Sequence, residues 1–364
     1  MEYIISFLIT IFGVYLCQLY KGKFAWYILA IQPIIILAAL RSINVGYDTH
    51  VYVFGTFNEA SKMKSLDRLL EESYFAYGYL LVNYAVSRVT GLIQIYLYVI
   101  HSIMYGTIVY ALYRHRRRLP VWVGIFILCF VYYRESLNTA RQFIALSFDV
   151  LAFSYLLDKK WIKVAICTFI AYEFHHSATL FLVIPVLYFL VNHYYSIFNK
   201  KYTLFLIVGS IIIILLSFSI VLEKFFSFGI LDERFLGYGD DRNFKSNIPV
   251  SPLALYGTNI YLFYYWKRAR QTKSQVFYEY LVIIAFVLCF SSLISMYTIR
   301  IMSYFGYMAI IIYPMLWNKV VKWKRDTRIL YLIFLSFYWL MTVVVANLST
   351  TYPYEFGKID FGIF

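Results

Sequence analysis

Residues 92–118 read LIQIYLYVIHSIMYGTIVYALYRHRRR. Twenty-two positions pass without an Asp, Glu, Lys or Arg, and then four arginines arrive within five. A helix crossing a hydrocarbon core of ~30 Å needs about 20 apolar residues. Backbone polar groups in lipid have no water to bond, so such a run must be helical. A basic cluster at its end marks the side of the membrane that retains positive charge. The stretch predicts a transmembrane helix with a basic anchor.

The rest of the chain repeats this pattern. Its 364 residues are 62% hydrophobic, 14% charged and 21% aromatic. Soluble domains average roughly 45–50% apolar and about 25% charged, so this pool cannot build a water-facing surface. The aromatic content excludes a disordered chain. Apolar runs fall near 2–20, 24–40, 92–113, 120–134, 142–157, 161–175, 177–192, 202–220, 253–266, 276–295, 298–317 and 328–346. They predict an all-α, polytopic integral membrane protein of about twelve transmembrane helices, in a single domain over 1–364. The first run lacks a basic leader and has the length of a span, so it is read as the first helix and not as a cleaved signal.

The net charge of +14 would suggest nucleic acid in a soluble protein. Here its placement sets topology, and no nucleic-acid partner is expected. Basic loops lie at Lys21 and Lys23, Arg114–Arg118, Lys159–Lys163, Lys200 and Lys201, Lys267–Lys273, and Lys319–Arg328. They alternate with the spans if both termini face outside. These loops hold 20 Lys and Arg against only Asp158, Glu279 and Asp326, which assigns them to the cytoplasmic side. Counting the apolar stretch Tyr74–Arg88 as a span would move Arg114–Arg118 outside. Residues 74–90 are therefore read as an outer interfacial helix or a re-entrant segment, which their tyrosines suit. Two larger outer segments result, at about 41–91 and 221–252. Cys17, Cys129, Cys167 and Cys289 all sit in apolar runs without a CxxC, and read as small buried hydrophobes.

Ionisable groups in a bilayer cost roughly 2.5–3.5 kcal/mol at its centre, so those near it are candidates for function. The second run ends at Arg41, with Gly46 and Asp48 following. These read either as a snorkelling arginine and a capping acid or as part of a site. Residues 134–149 read RESLNTARQFIALSFD. On a continuous helix Arg134, Asn138, Arg141 and Ala145 share one face, with Gln142 beside them. That face is either an interhelical hydrogen-bond network or an anion site lined by planar guanidinium forks. Residues 171–181, AYEFHHSATLF, collect Glu173, His175, His176 and Ser177 at a turn, as core histidines or as acid–base groups. Arg300 closes the end of a span as an anchor or a site residue. Arg234 and Tyr238 lie in the second outer segment, a solvated loop or a ligand contact. No HxxxH, HExxH, Walker A, GxGxxG or GxSxG spacing occurs, so no metal and no cofactor are expected. The basic loops are too short for a soluble catalytic domain, which leaves the outer half of the membrane for chemistry.

Four blocks, in order, resemble the EpsG family of bacterial polysaccharide polymerases, which are Wzy-like proteins. They are Arg41-Ser-Ile-Asn-Val-Gly46-Tyr-Asp48-Thr-His-Val-Tyr52, then Asn138-Thr-Ala-Arg141-Gln142-Phe-Ile-Ala145, then Phe174-His175-His176-Ser177-Ala178, then Arg300 with Tyr304-Phe305. The sequence departs from the family's usual Glu-Pro-Gly-Phe, carrying Glu72-Ser-Tyr-Phe-Ala-Tyr-Gly instead. The resemblance implies a metal-independent glycosyltransferase in the bacterial cytoplasmic membrane, with its site toward the exterior or periplasm. Donor and acceptor would be undecaprenyl-pyrophosphate-linked oligosaccharide repeats, joined into O-antigen, capsule or exopolysaccharide. Membrane lipids and a chain-length regulator protein would be further partners. Asp48, His176 and His175 are the candidates for the base. Arg41, Arg134, Arg141 and Arg300 are the candidates for the pyrophosphate, and Asn138, Gln142, Tyr52, Arg234 and Tyr238 for other substrate contacts. The competing classes are a flippase of lipid-linked oligosaccharide and a membrane O-acyltransferase. A flippase needs a path open alternately to both faces, commonly built on repeats, and no repeat is visible here.

The charge pattern generates a test of topology. In a background without the four native cysteines, Ser65→Cys and Ser246→Cys should react with an impermeant thiol reagent on intact spheroplasts. Arg117→Cys should react only after lysis. The reverse labelling would overturn the orientation.

Overall fold

The computed structural model of the chain describes residues 1–47, 49–217, 250–266, 272–293, 299–320 and 324–357. Among these residues the regular structure is helical, apart from one antiparallel bridge between Arg41 and Phe356. The chain divides into two compact units. One is Met1–Thr179 with Ile310–Phe364, and the other is Leu180–Ala309. Of the outer segment expected at 221–252, only 250–252 lies within the described residues.

All twelve apolar runs fall largely on helix where they are described, but their lengths differ from the expectation. Six helices are long and apolar enough to cross a membrane: Glu2–Leu19, Ile93–Arg114, Ala140–Leu157, His176–His193, Lys273–Ser292 and Asp326–Val345. The others are shorter or broken. The run at 24–40 splits at Ile31 into two short helices, with Pro33 in the first turn of the second. Proline has no N–H to donate and is accepted only where that donor would be orphaned anyway. The helix at Tyr77–Ser87 has 11 residues, about 16 Å of rise, too little to cross alone.

In the first unit the helices are α1 (Glu2–Leu19), α2 (Phe24–Ala30), α3 (Gln32–Ala39), α4 (Gly55–Lys62), α5 (Leu66–Glu72), α6 (Tyr77–Ser87), α7 (Ile93–Arg114), α8 (Val121–Ile127), α9 (Tyr133–Asn138), α10 (Ala140–Leu157) and α11 (Trp161–Phe174). α1 packs on α3 and α8, α7 on α3 and α10, and α10 on α11. The helix Asp326–Trp339 returns to this unit through its last ring. Phe7 of α1 meets Phe130, Tyr133 and Trp339 at centroid distances of 5.4, 5.0 and 6.0 Å, all edge to face. Each such pair adds about 0.5–1.5 kcal/mol beyond the area it buries. The other side of α1 leaves Ile4, Ile5, Leu8, Ile9 and Phe12 exposed, an apolar stripe whose natural partner is lipid.

One end of this unit is fastened by charge. Arg114 and Arg118 both reach Asp158, at 2.6 and 3.5 Å, tying the end of α7 to the end of α10. His115 donates to the Ser154 carbonyl at 3.0 Å, and burial holds its ring below the ordinary histidine range. From α1, the Gln18 amide donates to the carbonyls of Arg116 and Leu119 and accepts from the Val121 N–H. The basic loop is thus pinned on three helices, and the first three sequence motifs gather at the opposite end of the unit.

The second unit is arranged around the helix Lys273–Leu288, which packs on Val183–His193, Lys201–Leu216, Val250–Trp266 and Ile299–Gly306. Thr272 opens it with a capping box, its hydroxyl accepting from the Gln275 N–H while the Gln275 amide oxygen accepts from the Thr272 N–H. That arrangement satisfies two donors that a helix start would otherwise leave unpaired.

A carboxyl inside α10 breaks the usual rule for burial. Asp149 of α10 is wholly buried, and neither carboxyl oxygen has a hydrogen-bond partner among the described residues. An uncompensated buried acid costs stability. Asp149→Asn and Asp149→Leu should therefore leave the melting temperature of detergent-purified protein unchanged or raise it, by about 1–3 kcal/mol equivalent. A fall of that size would reveal a cation partner for Asp149.

Candidate functional site

The end opposite the basic cluster is organised by Arg41. It follows α3 directly and is 1% exposed. Its Nη1 donates to the Ala38 carbonyl at 2.5 Å and to His101 Nε2 at 3.2 Å, and its Nη2 donates to the Leu137 carbonyl at 3.4 Å. His101 Nδ1 lies 2.7 Å from the Leu97 carbonyl. A carbonyl only accepts, so the proton sits on Nδ1 and leaves Nε2 bare for Arg41. One guanidinium thus joins α3, α7 and α9.

The rest of the first motif closes onto the same carbonyl. Gly46 has φ +94°, and a Cβ there would lie 2.5 Å from the Leu137 oxygen. Only glycine permits both the left-handed backbone and the close approach. The single Thr49 hydroxyl proton is shared between the Leu137 carbonyl at 2.9 Å and the Val45 carbonyl at 3.0 Å. Thr49 then opens a π-helical turn, Thr49–Phe54, that carries Tyr52. Such turns are rare and tend to occur at functional positions. Asp48, between Gly46 and Thr49, lies outside the described residues.

Tyr52 meets Arg141. The Arg141 guanidinium stands over the Phe75 ring at 3.9 Å, with Tyr52 at 5.4 Å and Tyr79 at 5.7 Å. Tyr79 is itself fixed by its hydroxyl, which donates to the Tyr52 carbonyl at 3.2 Å. Burial pushes its phenol up, with hydrogen bonding and the nearby Arg141 charge working against that rise. Arg141 is half-buried and makes no hydrogen bond or ion pair among the described residues. Three rings cover the faces of the cation, and its N–H edges meet no acceptor among the described residues.

The stripe expected on one continuous helix is bent. Thr139, with φ −99° and ψ 54°, separates α9 from α10. Its hydroxyl donates to the Glu135 carbonyl at 3.0 Å, beside its own N–H at 2.8 Å. Such back-bonding by threonine bends helices. Arg134 and Asn138 therefore lie on α9, and Arg141 and Gln142 in the first turn of α10. Arg134 is half-buried, 3.7 Å from its neighbour Glu135. Asn138 is half-buried and Gln142 buried.

The histidine turn is tied to the aromatic cage through α6. Gly78, beside Tyr79, approaches the end of α11 so closely that a Cβ would lie 2.8 Å from the Glu173 carbonyl. Two residues later His175 leaves the helix in extended conformation, half-buried. His176 is exposed, its ring 4.6 Å from that of Tyr172. Arg300 lies in the second unit, exposed on the helix Ile299–Gly306. Arg234 and Tyr238 lie outside the described residues. Among the described residues no group of three or more His, Cys, Asp or Glu is placed to hold a metal ion.

Sequence reasoning missed the strap formed by residues 347–357. Ser42 N–H donates to the Glu355 carbonyl, Gly357 N–H to the Leu40 carbonyl, and Gly46 N–H to the Thr350 carbonyl. Tyr354 donates to the Leu37 carbonyl at 2.6 Å, and Tyr3 of α1 to the Thr351 carbonyl at 2.7 Å. Burial pushes the Tyr354 phenol up, and Arg41 beside it pulls the other way. The available signal was composition: TYPYEFG (351–357) is aromatic and polar together, unlike the apolar run before it. His101 was also missed, although a lone titratable side chain inside an apolar run is itself a signal.

The family model described as EpsG family matches residues 24–356. No curated protein and no solved structure matches the chain.

The geometry assigns the two arginines different tasks. Arg41→Met strands three acceptors on three elements, at about 1–3 kcal/mol for each buried group left unpaired. It should lower both the melting temperature and the monodisperse yield of detergent-purified protein. Arg141→Lys should leave both close to wild type. Wild-type melting of Arg41→Met would show that the guanidinium does not hold these elements together.

Proposed function

The chain belongs to the EpsG family, and on that premise we propose that it is a membrane glycosyltransferase that polymerises lipid-pyrophosphate-linked oligosaccharide repeats. The observation that carries this reading is Arg141, a half-buried cation held by Phe75, Tyr52 and Tyr79 and paired with no carboxylate among the described residues. A planar fork whose faces, and not its N–H edges, are covered by the rings suits the oxygens of a pyrophosphate.

In the reaction, a hydroxyl oxygen of the acceptor repeat attacks the anomeric carbon of the donor chain. The bond from that carbon to the pyrophosphate oxygen breaks, and the electron pair leaves with the lipid pyrophosphate. Charge grows on that oxygen in the transition state, and a preorganised cation there lowers the barrier. The hydroxyl proton passes to a base. Asp48, His176 and His175 are the candidates, and His176 is the exposed one of the two histidines. The lipids are undecaprenyl-type carriers in the bacterial cytoplasmic membrane, with the site facing outward. A chain-length regulator is a further partner.

Purified protein should convert lipid-linked repeats into a ladder of longer saccharides. A flippase or an acyltransferase would make none. Arg141→Ala should lose ~10²–10³ in rate per mole of monodisperse protein, and Arg141→Lys should also be strongly impaired, because an ammonium lacks the fork. Loss of the base, tested as Asp48→Asn, His175→Ala and His176→Ala, should cost ~10²–10⁴ in one of the three. No ladder from the wild type would overturn the reading, and near-normal turnover in both Arg141 variants would remove the arginine from it.

A further inference from the structure

A cavity of about 560 Å³ opens on the other side of the Arg41 backbone, between residues 42–44, the start of α7 and the C-terminal strap. Its volume falls within the roughly 300–1,000 Å³ of small-molecule sites. Ser42, Asn44, Gln94 and Glu355 supply its polar lining, and Phe54 and Phe356 its rings. Phe356 is 62% exposed. The Glu355 carboxylate makes no hydrogen bond or ion pair among the described residues, although its main-chain carbonyl is held by the Ser42 N–H.

This lining discriminates among ligands. Glu355 accepts hydrogen bonds and repels anions, so a pyrophosphate is disfavoured. Serine, asparagine and glutamine both donate and accept, which a simple cation cannot use. The start of α7 also lines the cavity, and its N-cap residue Leu92 brings no side-chain acceptor. That helix end favours electron-rich oxygens and opposes a cation. An uncharged polyol suits this lining: a hydroxyl oxygen accepts from the Asn44 amide, and a hydroxyl proton goes to Glu355. The C–H faces of a pyranose suit the electron-rich ring faces of Phe54 and Phe356.

The cavity is coupled to Arg141 by a single element. In the π-helical turn Thr49–Phe54, Tyr52 lies against the Arg141 guanidinium and Phe54 lines the cavity. One short turn therefore carries a contact to the candidate anion site and a wall of the sugar-like pocket.

We propose that this cavity is a saccharide subsite that holds an uncharged glycosyl unit of the lipid-linked substrate, with Glu355 accepting from a sugar hydroxyl and Phe356 stacking on the ring. The identity of the saccharide rests on the polymerase reading above; the capacity to hold a neutral sugar does not.

The test uses the full chain in detergent. The probe is the phosphate-free oligosaccharide released by acid from the lipid-linked repeats of the cells that make the protein. Wild type should bind it by calorimetry or saturation-transfer NMR, and millimolar inorganic pyrophosphate should not displace it. Glu355→Gln and Phe356→Ala should each weaken binding about tenfold or more, and Ile43→Trp, which fills the cavity, should abolish it. Melting temperatures should stay at wild type in the first two, whose side chains lie outside the core. In the lengthening assay Glu355→Gln should raise KM for the lipid-linked repeat more than it lowers kcat. Absence of wild-type binding, equal binding in all three variants, or displacement by pyrophosphate overturns the subsite. A wild type that lengthens chains alongside unaffected variants sinks the subsite and leaves the polymerase standing. A wild type that binds sugar through these residues but makes no ladder does the reverse.

Discussion

A guanidinium removed from water must recover its hydrogen bonds from the protein, and Arg41 recovers them from three separate elements. Ala38 lies in the last turn of α3, His101 in α7, and Leu137 near the end of α9. None of these acceptors is a carboxylate. The charge is solvated by carbonyl oxygens and one imidazole nitrogen, each aimed by its own helix. Gly46 and Thr49 then converge on the Leu137 oxygen, and the strap crosses the Arg41 backbone on its other side. The first motif therefore meets the second through one carbonyl, which Arg41, Gly46 and Thr49 all approach.

The same end of the bundle holds a second arginine in the opposite condition. Arg141 is surrounded by aromatic faces, which stabilise a cation without occupying its N–H edges. The difference follows from position. Arg41 leaves a helix toward carbonyls that need a donor. Arg141 stands in the first turn of α10, just after the Thr139 bend, and faces the aromatic residues of the 49–79 segment. One guanidinium is consumed by the fold, and the other is held by it. Tyr52 shows how closely the two are coupled, since its π-helical turn is anchored by Thr49 on Leu137 and ends at Arg141.

Several features of this end were legible in the residues. The Arg41, Gly46 and Tyr52 block and the Asn138, Arg141 and Gln142 block stood out because polar groups are expensive near a bilayer, and the structure brings these two blocks together. Local periodicity did not separate Arg41 from Arg141, because both read as candidates for the same anion. Nor did it register the bend at Thr139, where side-chain hydrogen bonding competes with helix geometry over a single residue. Of the apolar runs, six form helices among the described residues that are long and apolar enough to cross by themselves. Hydropathy counts apolar residues and is blind to where a proline or a π-helical turn interrupts the helix that holds them.

Composition and hydropathy by themselves determined that the chain is all-helical and built for lipid, because a backbone in hydrocarbon has no alternative to internal hydrogen bonding. They also located the basic end, since charge blocks are contiguous in sequence. Which arginine is buried among carbonyls, which stands among rings, and which rings those are were decided only by tertiary structure. Those contacts join residues 41 to 101, 52 to 141 and 42 to 355, across separations that no local pattern spans. The strap is the clearest case: its carbonyls and Tyr354 have meaning only once α3 and the 41–47 segment lie beside them, because hydrogen bonds at long range are selected by packing and not by spacing.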